Sequence, residues 1–289
     1  MICTSLRQAL RLLVLLMIAG TWELSFGQEK DEEPKRDEEA IRCVVIGGMT
    51  QSDFFQAVAS RFEKQTGKRV HISYSGPRHA IAHQFVEMDA DLITMHASDT
   101  IINLVANGFA ADPQPWARND MVLVGPPSDP AGIKGEKSAI KAITKIVDSG
   151  SKFLVHSSQG TTEVLHGLLL EAELDLNPEK TISLPSDRHR QFLEKVVKEE
   201  AYTLVGRIPF LNAKLPQAGA QIMVQGDPLL RRPYLVAVTS RKDDPRAQGA
   251  RELAAFLRTP ETQDFIATFG RGDLDDQPLF FPVTVERKQ

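Results

Sequence analysis

The feature that most constrains this chain is the alternation of strand and helix that begins at Ile41. Cys43-Val44-Val45-Ile46 is an apolar run of strand length, Gly47 to Ser52 is a turn, and Phe55, Val58, Ala59 and Phe62 then recur at helical spacing. Val70 to Tyr74 predicts a second strand, Gly76-Pro77-Arg78 opens another helix, and Asp91 to Met95 predicts a third strand that ends at His96-Ala97-Ser98. Parallel strands need crossover connections, and crossover helices cover both faces of the sheet they serve. The expected fold class is therefore α/β, built on doubly wound, mostly parallel sheets whose ligands lie at the carboxyl ends of the strands.

A second constraint is the exit from this layer. Met121 to Val124 is an apolar, β-branched run, and Gly125-Pro126-Pro127 must stop it, because proline fixes φ and removes a backbone donor. Beyond it come a helix over 140–147, a strand at Phe153 to Val155, a helix over 162–173, and strands at Ala201 to Val205 and Gln221 to Val224. Gly226 to Pro233 then leads into a further strand, Tyr234 to Val238, and Ala247 to Leu257 and Pro260 to Phe269 are amphipathic helices. Two crossings between two α/β domains describe a hinged clamp with its ligand between them. The expected division is 41–124 with 234–289 for domain I and 125–233 for domain II.

The N-terminus sets the compartment. Arg7 and Arg11 precede the apolar stretch Leu12 to Ala19, and Ser25-Phe26-Gly27 offers small residues where a signal peptidase reads, so residues 1–27 are expected to be a secretory signal peptide. The apolar run is much shorter than the ~20 residues that span a bilayer. Residues 28–40 hold seven acidic side chains against three basic ones and read as a solvated linker. Cys3 would leave with the signal peptide, and Cys43 alone has no partner for a disulfide. The formal net charge is −4, most of it in that linker, so no basic footprint for nucleic acid is visible.

Several segments together carry a family resemblance: Phe62-Glu-Lys-Gln-Thr-Gly67, Asp89-Ala-Asp-Leu92 with His96-Ala97, Asn107-Gly108, and Asn119-Asp120 through Gly132. Ala201-Tyr-Thr-Leu204 with Arg207, Gln225-Gly-Asp-Pro228 with Pro233-Tyr234, Pro260-Glu-Thr-Gln263, Phe269 and Leu279-Phe-Phe-Pro282 continue it. In order and spacing these resemble the tungstate-binding proteins of ABC importers, from about Ile41 to Val283. The resemblance implies a periplasmic or secreted, monomeric solute-binding protein that captures a small oxyanion, tungstate or a molybdate-like anion, and hands it to a membrane permease. It implies no cofactor.

The oxyanion site of that family resembles hydroxyl- and glycine-rich loops at helix N-termini, where unpaired N–H groups meet the anion. By that resemblance and by loop placement, the candidate ligand-binding residues are Thr50, Ser52, Arg78, His96, Ser158, Thr161 and Arg207. Both loops depart from the pattern. The family's first loop carries consecutive threonines, whereas this chain has Gly47-Gly48-Met49-Thr50, and Thr50 with Asp53 reads equally as a helix capping box. The family's second loop carries an arginine ahead of Ser-Gly-Thr, whereas Phe153 to Glu163 keeps Gly160-Thr161 and has none. His156 replaces that cation only when protonated. The positive charge is therefore expected from Arg78 and Arg207, one from each domain, with Arg231 and Arg232 assigned to the crossing or to solvent.

Other readings follow from particular residues. His79, His83 and Glu87 share one helical face and are weak candidates for a metal site, which would need a further ligand; a solvated face is the plain alternative. Neither a Gly-x-Ser-x-Gly elbow, a phosphate-binding Gly-x-x-x-x-Gly-Lys-Ser/Thr loop nor a His-Glu-x-x-His pair occurs, so an enzyme is not expected. A different small anion, a small carboxylate, a metal ion, or a sensor role without a transporter remain the alternatives within the same fold.

Overall fold

The computed structural model describes residues 39–156, 159–184, 191–211, 217–272 and 276–284. Residues 1–27 and nearly all of the expected linker lie outside them. The linker was expected to run through Ala40, but Ala40 is buried, because the backbone N–H of Ile41 already bonds to Arg69 at the start of the sheet.

The first lobe is laid down by β1 (Ile41–Ile46), the short helix α1 (Gly47–Thr50), α2 (Phe54–Thr66), β2 (Val70–Gly76), α3 (Arg78–Glu87), β3 (Leu92–His96) and α4 (Asp99–Ala106). β1 pairs in parallel with β2 on one side and with β3 on the other. Its Cys43 to Val45 are wholly buried because both faces of the strand are covered. α2 buries Phe55, Val58, Ala59 and Phe62, the helical stripe visible in the sequence, and Phe54 in addition. Phe54 is stacked between Trp116, with ring centroids 5.4 Å apart, and Phe280. Each such ring contributes roughly 2–3 kcal/mol by leaving water.

β4 (Ala110–Gly125) joins the two lobes. Ala110 to Asp120 pair antiparallel with β9, while Met121 to Val124 pair with β7 and Leu123 to Gly125 with β8. The second lobe continues with α5 (Ala139–Asp148), β5 (Lys152–His156), α6 (Gln159–Glu171), β6 (Thr181–Leu184), α7 (Phe192–Lys198), β7 (Ala201–Gly206), α8 (Arg207–Leu211) and β8 (Gln221–Val224). Here β5 runs parallel to both β6 and β7. β9 (Arg231–Thr239) returns and pairs with β3 as well as β4, and α9 (Pro245–Leu257), α10 (Pro260–Ile266) and β10 (Phe281–Pro282) complete the first lobe. Among the described residues the strand order is β2-β1-β3-β9-β4-β7-β5-β6, with β8 and β10 also pairing to β4. The architecture is the two-lobed α/β clamp with two crossings.

The crossing falls earlier than expected. Met121 and Leu123 pack in one core of the second lobe and Val122 and Val124 in another, because alternate side chains of the strand point to opposite faces. We propose lobe limits of 39–120 with 231–284 and 121–230. The strand read from Met121 is the last five residues of one far longer strand whose first eleven, Ala110 to Asp120, hold two prolines and show no clean alternation.

Candidate functional site

A cleft of about 320 Å³ opens where the carboxyl ends of the parallel strands of both lobes meet the crossing strands. From the first lobe it is lined by Gly48 and Gln51 of the β1–α2 turn and by His96 at the end of β3. From the second it is lined by His156 at the end of β5, Gly160 and Thr161 in the first turn of α6, and Val205 and Gly206 at the end of β7. Ile208, Pro209 and Phe192 close that side. The crossing strands add Asn119 and Met121 from β4 and Arg232 and Tyr234 from β9.

The polar groups of the cleft are held in defined positions. His96 stacks on Tyr234, with ring centroids 4.2 Å apart. Burial, and then the neighbouring Arg232, push its pKa well below the ordinary 6.5, so the imidazole is neutral at physiological pH. Its Nε2 and the Oδ1 of Asn119 are buried without a hydrogen-bond partner among the described residues. Buried polar atoms without partners cost free energy that a ligand can return. Across the cleft, His156 Nε2 lies 3.2 Å from the Leu204 carbonyl oxygen and 3.4 Å from Thr161 Oγ1.

Charge is concentrated at the α6 edge. Glu163 bridges two arginines of the first lobe: Arg78 Nη1 donates to its Oε1 at 2.6 Å and Arg232 Nη2 to its Oε2 at 3.1 Å. The Arg232 side chain is 13% exposed. Its guanidinium presses so closely on Gly160 that a Cβ there would clash with Nη1. Burial draws the pKa of Arg232 down and Glu163 holds it up; a guanidinium stays charged at neutral pH.

The sequence candidates are distributed unevenly around this cleft. His96 and Thr161 line it; Thr50, Ser52, Arg78 and Arg207 do not. Thr50 Oγ1 bonds to the Gly47 carbonyl and to Ser75, and Ser52 Oγ to the carbonyls of Gly48 and Met49. The capping box expected from Thr50 and Asp53 does not form: Asp53 is itself the N-cap of α2, in a left-handed conformation and without a side-chain cap. Arg207 is fully buried, and its Nη1 donates to the Pro278 carbonyl at 2.8 Å, tying α8 to the C-terminal segment. Ser158 lies outside the described residues. His79, His83 and Glu87 are exposed on α3, with a 3.0 Å contact between His83 and Glu87, and among the described residues no three His, Cys, Asp or Glu side chains could hold a metal ion. Trp116 is core: its Nε1 donates to Thr94 Oγ1 at 2.8 Å.

The residues the sequence reading passed over are Gln51, Asn119, Phe192 and, above all, Arg232. Strand parity was the available signal. Arg232 and Tyr234 are two apart on β9 and share a face, while Arg231 lies on the other side, 3.6 Å from the buried Asp120 and over the ring of Phe281.

A curated ABC transporter anion-binding protein of Haloferax volcanii is 31% identical over 202 residues, 67% of this chain, although the match spans only 58% of that relative. The tungstate-binding protein TupA of Peptoclostridium acidaminophilum is 24% identical over 259 residues, 88% of this chain and 89% of its own length. Among solved structures, TupA of Desulfovibrio alaskensis superposes with a TM-score of 0.71 at 21% identity over 85% of this chain and 99% of its own. A tungstate ABC transporter protein of Geobacter sulfurreducens gives 0.64 at 24% over 80% and 99%. Residues 43–271 match the model of the bacterial extracellular solute-binding proteins, and the chain belongs to that family.

Proposed function

We propose that this protein captures a small oxyanion, tungstate or a molybdate-like anion, in the cleft between its lobes and presents it to the permease of an ABC importer. It would be exported by the cleavable leader read in residues 1–27, carry the acidic stretch from residue 28 as a solvated N-terminal segment, and act as a monomer. The observation that carries this reading is the cleft itself, at the carboxyl ends of β3 and β5, with the first turn of α6 on one wall and a half-buried arginine seated against that turn. Asn119, His96, Thr161 and the backbone of Gly160 would supply neutral contacts around the anion, and Arg232 its charge. The tungstate-binding relatives support the same ligand class.

A specific observation favours a second reading. Met121, Phe192, Val205, Ile208, Pro209 and Tyr234 give the cleft an apolar wall that suits an anion with an organic body, a small carboxylate for example. Calorimetric titration with tungstate, molybdate, sulfate, phosphate, small carboxylates and zinc, after refolding to strip carried ligand, separates the readings. Tight, tungstate-preferring binding is expected. A response to a carboxylate alone would move the apolar wall to the front, and a response to zinc alone would overturn anion capture.

A further inference from the structure

Arg232 and Arg78 come from the first lobe, and Glu163, from α6 of the second, takes one guanidinium on each of its oxygens. The three charges sum to +1. His96 adds nothing at neutral pH because burial keeps its imidazole neutral. Removing the carboxylate leaves +2 at the edge of the cleft, Arg232 in its lining and Arg78 beside it. Glu163 is itself 47% exposed, so water can receive its side chain when it swings away, whereas the Arg232 side chain is only 13% exposed and seated against Gly160. A tetrahedral oxyanion presents the same kind of two-oxygen edge as a carboxylate, and planar guanidinium groups bind either edge through paired N–H donors.

We infer that Glu163 is a resident carboxylate held on the two arginines at the edge of the cleft in the unliganded protein, and that a doubly charged tetrahedral oxyanion displaces it to sit between Arg232, in the cleft lining, and Arg78 beside it. The inference rests on the anion-capture reading and specifies the ligand's charge. A dianion neutralises the pair that Glu163 releases. A monoanion replaces one negative charge by another and gains little from the exchange. Glu163 therefore sets both the affinity threshold and the preference for double charge.

The test uses the purified protein with tungstate and perrhenate, tetrahedral anions of nearly the same shape carrying two charges and one. The wild type is expected to prefer tungstate by at least tenfold. Glu163→Gln, which keeps the side chain's size and removes its charge, is expected to tighten tungstate binding about tenfold. Arg232→Gln is expected to weaken it by a hundredfold or more, and Arg78→Gln by less. Glu163→Ala provides a second charge removal in case the glutamine retains the bridge, and far-ultraviolet dichroism checks that each variant is folded. Wild-type tungstate binding that Glu163→Gln and Glu163→Ala leave unchanged or weaken would overturn the resident-carboxylate inference and leave anion capture standing. Equal affinity for perrhenate would also overturn it. A wild type that takes up neither anion would overturn both.

Discussion

Asp120 sits where β4 crosses between the lobes, and replacing it with asparagine should change how stability depends on pH. The carboxyl group is buried, and burial raises its pKa from 3.8 to about 6 even though Arg231 and Arg207 pull it down and Asp227 pushes it up. In the unfolded chain the same carboxyl group ionises near its ordinary value. Between these two values the folded protein binds the proton and the unfolded chain does not, so folding loses stability as pH rises through the window. At about 1.4 kcal/mol per pH unit the full loss is about 3 kcal/mol, of which about 2 kcal/mol falls between about pH 4.5 and about pH 7.5. Asp120→Asn cannot titrate. Its stability relative to the wild type should therefore improve by about 2 kcal/mol across that interval, whatever constant penalty comes from leaving Arg231 without its carboxylate partner. Urea unfolding followed by the fluorescence of Trp116, fully buried in the first lobe, measures both proteins at both pH values. A difference between variant and wild type that is the same at the two pH values would refute the argument and mean that Asp120 is already ionised in the weakly acidic range.

Three further outcomes follow from single contacts. Gly160→Val should cost at least tenfold in anion affinity by titration while leaving the fold intact, because the new side chain must evict the Arg232 guanidinium from its seat. Tyr202→Phe should lower the unfolding free energy by about 1–3 kcal/mol in a denaturant series, since the phenol both donates to Asp129 Oδ1 at 2.7 Å and accepts from the Ala131 N–H at 2.8 Å in the exit loop. Gln263→Leu should cost about 3 kcal/mol or more in melting or denaturant experiments, because its amide donates to the carbonyls of Trp116 and Leu257 and accepts from Val283, and all three lose their partner in a dry core.

How much of this was legible in the sequence depended on whether a pattern was local. Cys43 to Ile46, the Phe55 to Phe62 stripe and the apolar spacing of 140–147 are period signals complete in one segment, and each became the element its spacing implied, β1, α2 and α5. β4 was read only as its last few residues, because Ala110 to Asp120 contains Pro113 and Pro115 and its ladder with β9 slips at two places. α4 and α7 were passed over; both are short, eight and seven residues. In the site, strand-end placement brought out His96, and the Gly160-Thr161 pair brought out the start of α6. Arg207 was misleading for a physical reason: a cation at the end of a strand points toward a cleft only if nothing nearer claims it, and the Pro278 carbonyl, far along the chain, does.

The two arginines of the return crossing show why sequence position alone could not separate structure from function. Arg231 and Arg232 are adjacent and chemically identical, and β9 pairs them with Asp120 and Asn119 of β4 in successive register. Because a strand turns alternate side chains to opposite faces, the pair Asp120–Arg231 packs away from the cleft, against Phe281, while Asn119 and Arg232 face into it. One face of the crossing thus holds its own charge pair and the other presents an arginine whose carboxylate partner comes from the opposite lobe. A one-residue slip of β9 against β4 would exchange these roles, placing the arginine now paired with Asp120 in the cleft. Register at the crossing is therefore a functional constraint, held by the paired bonds from Ala117 to Asp120 and by the proline at 233, which restricts the residue before it to extended backbone. Arg232 belongs to a strand that joins the lobes, so rotation of one lobe against the other moves α6 and Glu163 relative to Arg232 and Arg78; under the anion-capture reading, ligand charge and lobe position are coupled through those two ion pairs.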